Sequence, residues 1–507
     1  MSPVRELTRR ELLGGFVGLG VVAGLAACGQ RSTGTVSPAA IASAEAARPT
    51  SGATRTLKLR AQPIEHDLGG RVVSTWGYGG SVPGPVLRAN VGDRVKIAFT
   101  NDLPEDTSVH WHGLAIRNDM DGMPGVTMPP IPQGRGFDYE FVLPDSGTHW
   151  LHPHTGLQLD RGLYAPFIVD DPNESGRYDR EWIVVLDDWT DGVGKTPEAL
   201  MADLKAGGGS MMGGGMGGNS RMGGGMGMSA GDSGGGGGMG MGATDAGDID
   251  YPMYLINGRA ETDPDVLRAK PGQRVRVRII NAAADTIFNV ALAGHKLDVI
   301  ASDGYPVQPV SADSLQISMG ERYDAIVELK DGVFAFAAEP LGKSGQARAL
   351  VRTGSGSVPA PSVRPSELEQ DPLTLGGLAV ADGSALAAGP VDTEQGVRLA
   401  GSMSDYRWTI NGRTYDQTEP LTIQQGQLGR FHFSNHSMMP HPMHVHGHTF
   451  QVGDAGGRGP RKDTVLVPAM GSLRIDLRAD NPGKWMVHCH NLYHAEAGMM
   501  TRLDYTA

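Results

Sequence analysis

The feature that most narrows what this chain can fold into is an internal repeat. VPGPVLRANVGDRVKIAFTN ends at Asn101, INGRAETDPDVLRAKPGQRVRVRIIN at Asn281, and INGRTYDQTEPLTIQQGQLGRFHFSN at Asn435. Each copy turns at a glycine (Gly92, Gly272, Gly426) and then alternates apolar with polar residues, the pattern of a half-buried strand after a turn. A second segment follows in every copy: DSGTHWLHPH, DGVFAFAAE and NPGKWMVHCH align on Gly147, Gly332 and Gly483. Turn residues and short strands recur, with no long amphipathic helical pattern. The repeat predicts an all-β protein of three Greek-key β-sandwich domains, near residues 55–175, 180–352 and 395–507. The Pro-, Gly- and Ser-rich stretch 353–394 reads as a linker and 29–54 as a flexible N-terminal segment.

The histidines respect this repeat. Nine residues past Asn101 comes His110, paired with His112; nine past Asn435 comes His444, paired with His446; nine past Asn281 comes Val290. Five past Gly147 comes His152, paired with His154; five past Gly483 comes His488, paired with His490; the middle copy has Ala337 there. Side chains at i and i+2 of a strand point to one face. Domains 1 and 3 therefore offer eight imidazoles to one place, enough for a cluster of several metal ions, and domain 2 offers none.

Cys489 lies between His488 and His490, so it faces the other way, into domain 3. The chain has only 2 Cys, the other being Cys28 near the start, so Cys489 has no use as a structural disulfide. His441 lies three before His444 and belongs by parity to the face of Cys489, while His494 and Met499 follow in a loop that can curl back. Two histidines, a thiolate and a weak axial methionine make a blue-copper electron-transfer site. Zinc also takes Cys and His, but a single zinc site leaves the eight paired histidines without a use.

HWHGL at 110–114, HWLHPH at 149–154, HPMHVH at 441–446 and HCHNLYHAEAGM at 488–499 resemble the four signature motifs of three-domain multicopper oxidases, across essentially the whole mature chain. The resemblance implies cupredoxin-like domains and four copper ions. It implies His441, Cys489, His494 and Met499 at a type-1 copper, and His110 and His444 at a type-2 copper. It implies His112, His152 and His490 at one type-3 copper and His154, His446 and His488 at the other. The activity it implies is one-electron oxidation of a substrate at the type-1 site, four times over, with O2 reduced to water. It places a proton-donating acid at Asp121. Some relatives carry a second acid directly after the type-1 histidine; here that residue is Ala495, and the acid is Glu496. Met439 matches a substrate-copper methionine of the bacterial copper-detoxifying oxidases, although Ser437 stands where they have an acid.

The substrate is suggested by MMGGGMGGNSRMGGGMGMSAGDSGGGGGMGMG, part of an insertion (205–242) in domain 2. Met211, Met212, Met216, Met222, Met226, Met228, Met239 and Met241 sit in a glycine matrix that cannot build a packed core. Soft thioethers select Cu(I), and Met438 and Met439 add more beside His441. The expectation is a cuprous oxidase serving copper tolerance, with Fe(II) or phenols as further substrates. The alternatives are a laccase-like phenol oxidase and a non-catalytic copper-binding protein; the latter would have lost cluster ligands, and none is lost. At the N-terminus, Arg9-Arg10 precedes an apolar run too short to span a membrane comfortably and a LAAC box ending at Cys28. Residues 1–28 thus read as a twin-arginine export signal with a lipoprotein box, the mature chain lipid-anchored through Cys28 on the outer face of the cytoplasmic membrane. The net charge of −12 argues against nucleic acid as a partner, and a monomer is expected.

Overall fold

The computed structural model describes residues 36–174, 178–208 and 247–506. Arg9, Arg10, Cys28 and the eight methionines of the insertion lie outside the described residues.

Each repeat becomes two facing sheets, of four and four strands in domain 1, six and five in domain 2, and six and five in domain 3. The repeated strands are Arg94–Asn101, Arg274–Asn281 and Leu428–Asn435. In every domain this strand runs parallel to the domain's first strand (Thr54–Asp67, Arg180–Trp189, Thr393–Ser402). Its other edge pairs antiparallel with Gly136–Val142, Arg322–Glu328 or Ser472–Arg478. The asparagine that ends it has one job three times over. Asn101 donates to the Glu105 and Ile131 carbonyls and accepts from the Leu103 N–H. Asn281 does the same with Thr286, Ile317 and Ala283, and Asn435 with Met439, Pro468 and Ser437. A buried amide that satisfies otherwise orphaned loop groups fixes the path of the chain. In domains 1 and 3 that path delivers the next strand with its histidines in place.

In the second sheet of domain 1, His110–His112 pairs antiparallel with Gly147–His152, setting His110 opposite His152. In domain 3, His441–Val445 pairs with Lys484–Cys489, setting His444 opposite His488 and Met443 opposite Cys489. The intervening residues are the anchors. Trp111 is buried against Tyr139 and Phe141, at ring distances of 5.0 and 5.3 Å. Burying such a side chain contributes ~1.5–3 kcal/mol, and the period of two then holds both flanking imidazoles on the opposite face.

Three expectations need correction. The strand Arg274–Asn281 is buried on both faces beyond its first residue, because its arginines turn inward. Arg276 and Arg278 both bond Asp324, and Arg278 also donates to Thr148 Oγ1 of domain 1. Residues 29–54 are not uniformly flexible: a helix, Pro38–Ala46, starts at an N-capping Ser37. Buried Glu45 at its end accepts from the Val142 N–H, and Arg48 reaches Asn481 of domain 3. The stretch 353–394 is a strap packed on domain 2 more than a free linker, with bridges Leu315 to Leu373 and Val307 to Val380 and a buried Leu368. Its composition excludes long regular elements without excluding packing.

Candidate metal centre

Cys489 ends its strand fully buried, and its N–H donates to the Met499 carbonyl. Asn491 caps the short helix Leu492–Glu496 by accepting from the Tyr493 and His494 N–H groups, which turns His494 back toward the strand. The result is a tight set. Cys489 Sγ lies 3.6 Å from His441 Nδ1 and 3.8 Å from His494 Nδ1, and the two Nδ1 atoms are 3.2 Å apart. Met499 is buried in the same core. Burial pushes the Cys489 thiol well up and the His441 ring well down, so without a bound cation both groups stay neutral. On their far sides His441 Nε2 donates to Ser437 Oγ (2.7 Å) and His494 Nε2 to Asp248 Oδ2 (2.9 Å). Those bonds leave each Nδ1 lone pair aimed at the sulfur. Trp408 covers His494 at 3.9 Å.

The eight remaining histidines converge between domains 1 and 3. His110 stacks on His446 and His112 on His444, with centroids 3.7 and 3.9 Å apart. Their rear nitrogens donate: His110 Nδ1 to the Asp121 carbonyl, His152 Nδ1 to the Pro153 carbonyl, His444 Nδ1 to the Asp463 carbonyl, His488 Nδ1 to the Cys489 carbonyl. Most forward nitrogens have no partner, although His446 Nε2 and His488 Nε2 face each other at 3.1 Å. His110 Nε2, His112 Nδ1, His152 Nε2, His154 Nε2, His444 Nε2 and both nitrogens of His490 are buried and unpaired. Each such atom costs ~1–3 kcal/mol. Lone pairs gathered this way fit metal ions, and neutral imidazole is a ligand suited to copper.

The sets implied by the resemblance pack as units. His112, His152 and His490 have centroids 4.9 to 5.7 Å apart, and His154, His446 and His488 4.7 to 5.1 Å apart. The closest donor atoms cut across that partition, however, grouping His110 with His154 and His446, and His444 with His446 and His488. The rings form one continuous cluster. His154, past Pro153 and off the strand, is only partly buried.

Asp121 is buried, with Oδ2 2.9 Å from His446 Nδ1. Glu496 is half-buried and lines two spaces: a surface cleft of about 660 Å³ shared with Glu105, Glu198 and Lys205, and a narrow inner cavity walled by His154, His488 and His490. Met438 is 62% exposed, whereas Met439 is buried, so only the first is open to a substrate. Asp248, Asp463 and Met470 have no signal in the sequence. Asp248 follows the insertion and reaches His494 from domain 2. Asp463 Oδ1 lies 3.2 Å from His112 Nε2. Met470, 64% exposed, donates its N–H to the Ser437 carbonyl, beside Met438. Of the other histidines, His448 Nδ1 donates to the His446 carbonyl. His149 is buried with both nitrogens unpaired.

Three multicopper oxidase family profiles match residues 61–174, 180–356 and 390–507. The chain is 49% identical to the multicopper oxidase MmcO of Mycobacterium tuberculosis, over 99% of this chain and 97% of that one. It is 27% identical to copper resistance protein A of Escherichia coli, over 83% and 87% of the two chains. The crystal structure of the laccase from Botrytis aclada superposes with a TM-score of 0.70 at 25% identity, covering 91% of this chain and 89% of that one.

The neutral rings set a pH dependence for the metal-free protein. Burial pushes His149 and His488 down to about 3, and burial with neighbouring rings holds His152, His154, His446 and His490 well below the usual imidazole value. Below about pH 6.5 the unfolded chain takes up protons that the folded chain refuses. The stability these groups contribute is complete above that pH and is lost as the pH falls toward their folded values. Each ring then contributes up to ~1.4 kcal/mol per pH unit. Urea unfolding of metal-free protein at about pH 7.5 and about pH 5 is expected to show a steep fall; equal stabilities would contradict the buried, neutral cluster.

Proposed function

The chain belongs to the multicopper oxidase family, and we propose that within it this oxidoreductase oxidises Cu(I) outside the cytoplasm, with Fe(II) and phenols as weaker substrates. The observation that carries the reading is the pair of buried donor sets: a cysteine sulfur with two Nδ1 atoms within 3.8 Å, and a separate cluster of unpaired imidazole nitrogens. His441, Cys489, His494 and Met499 would hold a type-1 copper. His110 and His444 would hold a type-2 copper, and His112, His152, His490 with His154, His446, His488 a type-3 pair. Bound copper supplies one-electron redox storage, four equivalents for each O2 reduced to water.

The chain's own groups do the rest. Cys489 is bonded in sequence to His488 and His490, so a short covalent path joins the two sets. Asp121 faces His446 Nδ1 through Oδ2 and is placed to pass protons to the cluster. Glu496 lines both the solvent cleft and the inner cavity. It serves as the second proton carrier in place of the acid absent at Ala495.

The case for Cu(I) rests on soft donors at the type-1 face. Met438 and Met470 are exposed on loops that bond each other above Ser437, which itself bonds His441. The insertion departs beside Lys205, on the Glu496 cleft, and returns at Asp248, on His494. Eight methionines thus enter the sequence between two residues that lie at the type-1 site and the adjoining cleft. Met439, being buried, is assigned to the type-1 wall and not to the substrate.

Initial O2 uptake by the copper-loaded protein is expected to be faster with Cu(I) than with a phenol. Deleting 209–242 should lower only the Cu(I) rate. A phenol rate that matches or exceeds it, indifferent to the deletion, would make the protein laccase-like. Glu496→Gln should slow O2 consumption while leaving anaerobic bleaching of the blue colour by Cu(I) at its wild-type rate; an unchanged O2 rate removes Glu496 from the proton path. Export and anchoring stand on Arg9-Arg10 and the LAAC box alone. Cys28→Ser should move the protein from the membrane to the soluble fraction, and the same distribution for both forms would count against the lipid.

A further inference from the structure

Domain 2 carries none of the paired histidines, yet it reaches the cluster from behind. Arg322, fully buried on its strand, forks onto Asp463 of domain 3: Nη1 to Oδ1 at 2.8 Å and Nη2 to Oδ2 at 2.6 Å. Its Nε donates to the Thr148 carbonyl of domain 1, so one guanidinium touches all three domains. It passes directly under Gly113, the residue after His112, where a Cβ would lie 2.2 Å from Nη2. Asp303, also of domain 2, accepts from the Asp463 and Thr464 N–H groups, and Lys462 bridges Asp303 to Glu321.

Asp463 is where this network meets the rings. Its Oδ1 accepts from His112 Nε2 at 3.2 Å and lies 3.5 Å from His444 Nδ1, which donates to the Asp463 carbonyl at 2.9 Å. The two rings stack nearly parallel, 12° apart. Fixing the proton on His112 Nε2 and on His444 Nδ1 leaves His112 Nδ1 and His444 Nε2 as the donors, and those are two of the buried nitrogens without partners. The Asp463 carboxylate thus sets the tautomer of His112 and its main-chain carbonyl that of His444, opposite tautomers on two stacked rings. A carboxylate free to rotate would lose the selection at His112.

We propose that Arg322 is a positioning residue of the histidine cluster: by clamping both oxygens of Asp463 it fixes the tautomer of His112 and its stacking on His444, so that domain 2 completes a site to which it gives no ligand. The inference rests on the reading that these histidines hold copper. The bidentate fork is the operative feature, and lysine, a single-point donor, does not reproduce it.

The test compares copper-loaded wild type with Arg322→Lys and with Arg276→Gln, a change at another buried arginine pair of domain 2 that touches no cluster ring. Arg322→Lys should keep the blue type-1 absorption while its type-2 EPR signal changes and cluster copper is lost to a chelator roughly 10–100-fold more readily. Arg276→Gln should change neither signal. Wild-type retention by Arg322→Lys, or equal losses from both variants, overturns the inference. A wild type that holds copper only at the blue site overturns the underlying reading as well. Independently of any variant, imidazole nitrogen NMR of the metal-free wild type should find His112 protonated at Nε2 and His444 at Nδ1. The reverse tautomers, or a mixture, contradict the clamp.

Discussion

Seven nitrogens of the paired histidines lie buried, side by side and without partners. The rest of the structure is built around carrying that cost. Polar atoms of this kind would ordinarily find water or a carbonyl. Here most rear nitrogens have one, His490 being the exception, which leaves the forward ones fixed in direction and unspent. The cores of domains 1 and 3 supply the rigidity, since Trp111 and Cys489 each occupy the inward position between two outward rings. The same alternation that buries the anchor presents the pair, so the chemistry is a by-product of the strand's period.

The three domains divide the work by position. Domains 1 and 3 give donors, and domain 2 gives second partners: Asp248 to His494, and Arg322 through Asp463 to His112 and His444. Gly320 of domain 2 also packs directly on the cluster, where a Cβ would stand 2.7 Å from His490 Cδ2. Asp248, which makes one of these contacts, is the second described residue after the insertion.

Much of this was legible in the sequence because its signals are periodic. The repeat gave the sheets, and histidines falling at matching offsets in two copies and missing from the third gave the cluster. Cys489 and His441 followed from parity alone. What was illegible came by tertiary packing. RVRVRIIN alternates like a solvated strand, but its arginines turn inward, neutralised by Asp324 on the adjacent strand, with Arg278 also bonding Thr148 across the domain boundary. Asp463 and Asp248 sit in segments with no pattern, and only the fold carries them to the rings. Met439 and Met438 are neighbours of one type, and the Asn435 amide, by holding the Met439 carbonyl, leaves one buried and the other exposed. The division of the eight rings among individual ions is likewise a matter of which nitrogens a metal would draw together, since the nearest donor atoms cut across it.

In the proposed oxidase the cysteine site and the histidine cluster act as one four-electron device. Counting Cu(I) oxidised per O2 consumed, with peroxide measured in the same vessel, tests it most directly. Four Cu(I) per O2 and no peroxide are expected, because the covalent path through Cys489 to His488 and His490 joins the two donor sets. Two Cu(I) per O2 with peroxide accumulating would contradict it, and would mean that the two donor sets, although adjacent, do not work as a unit.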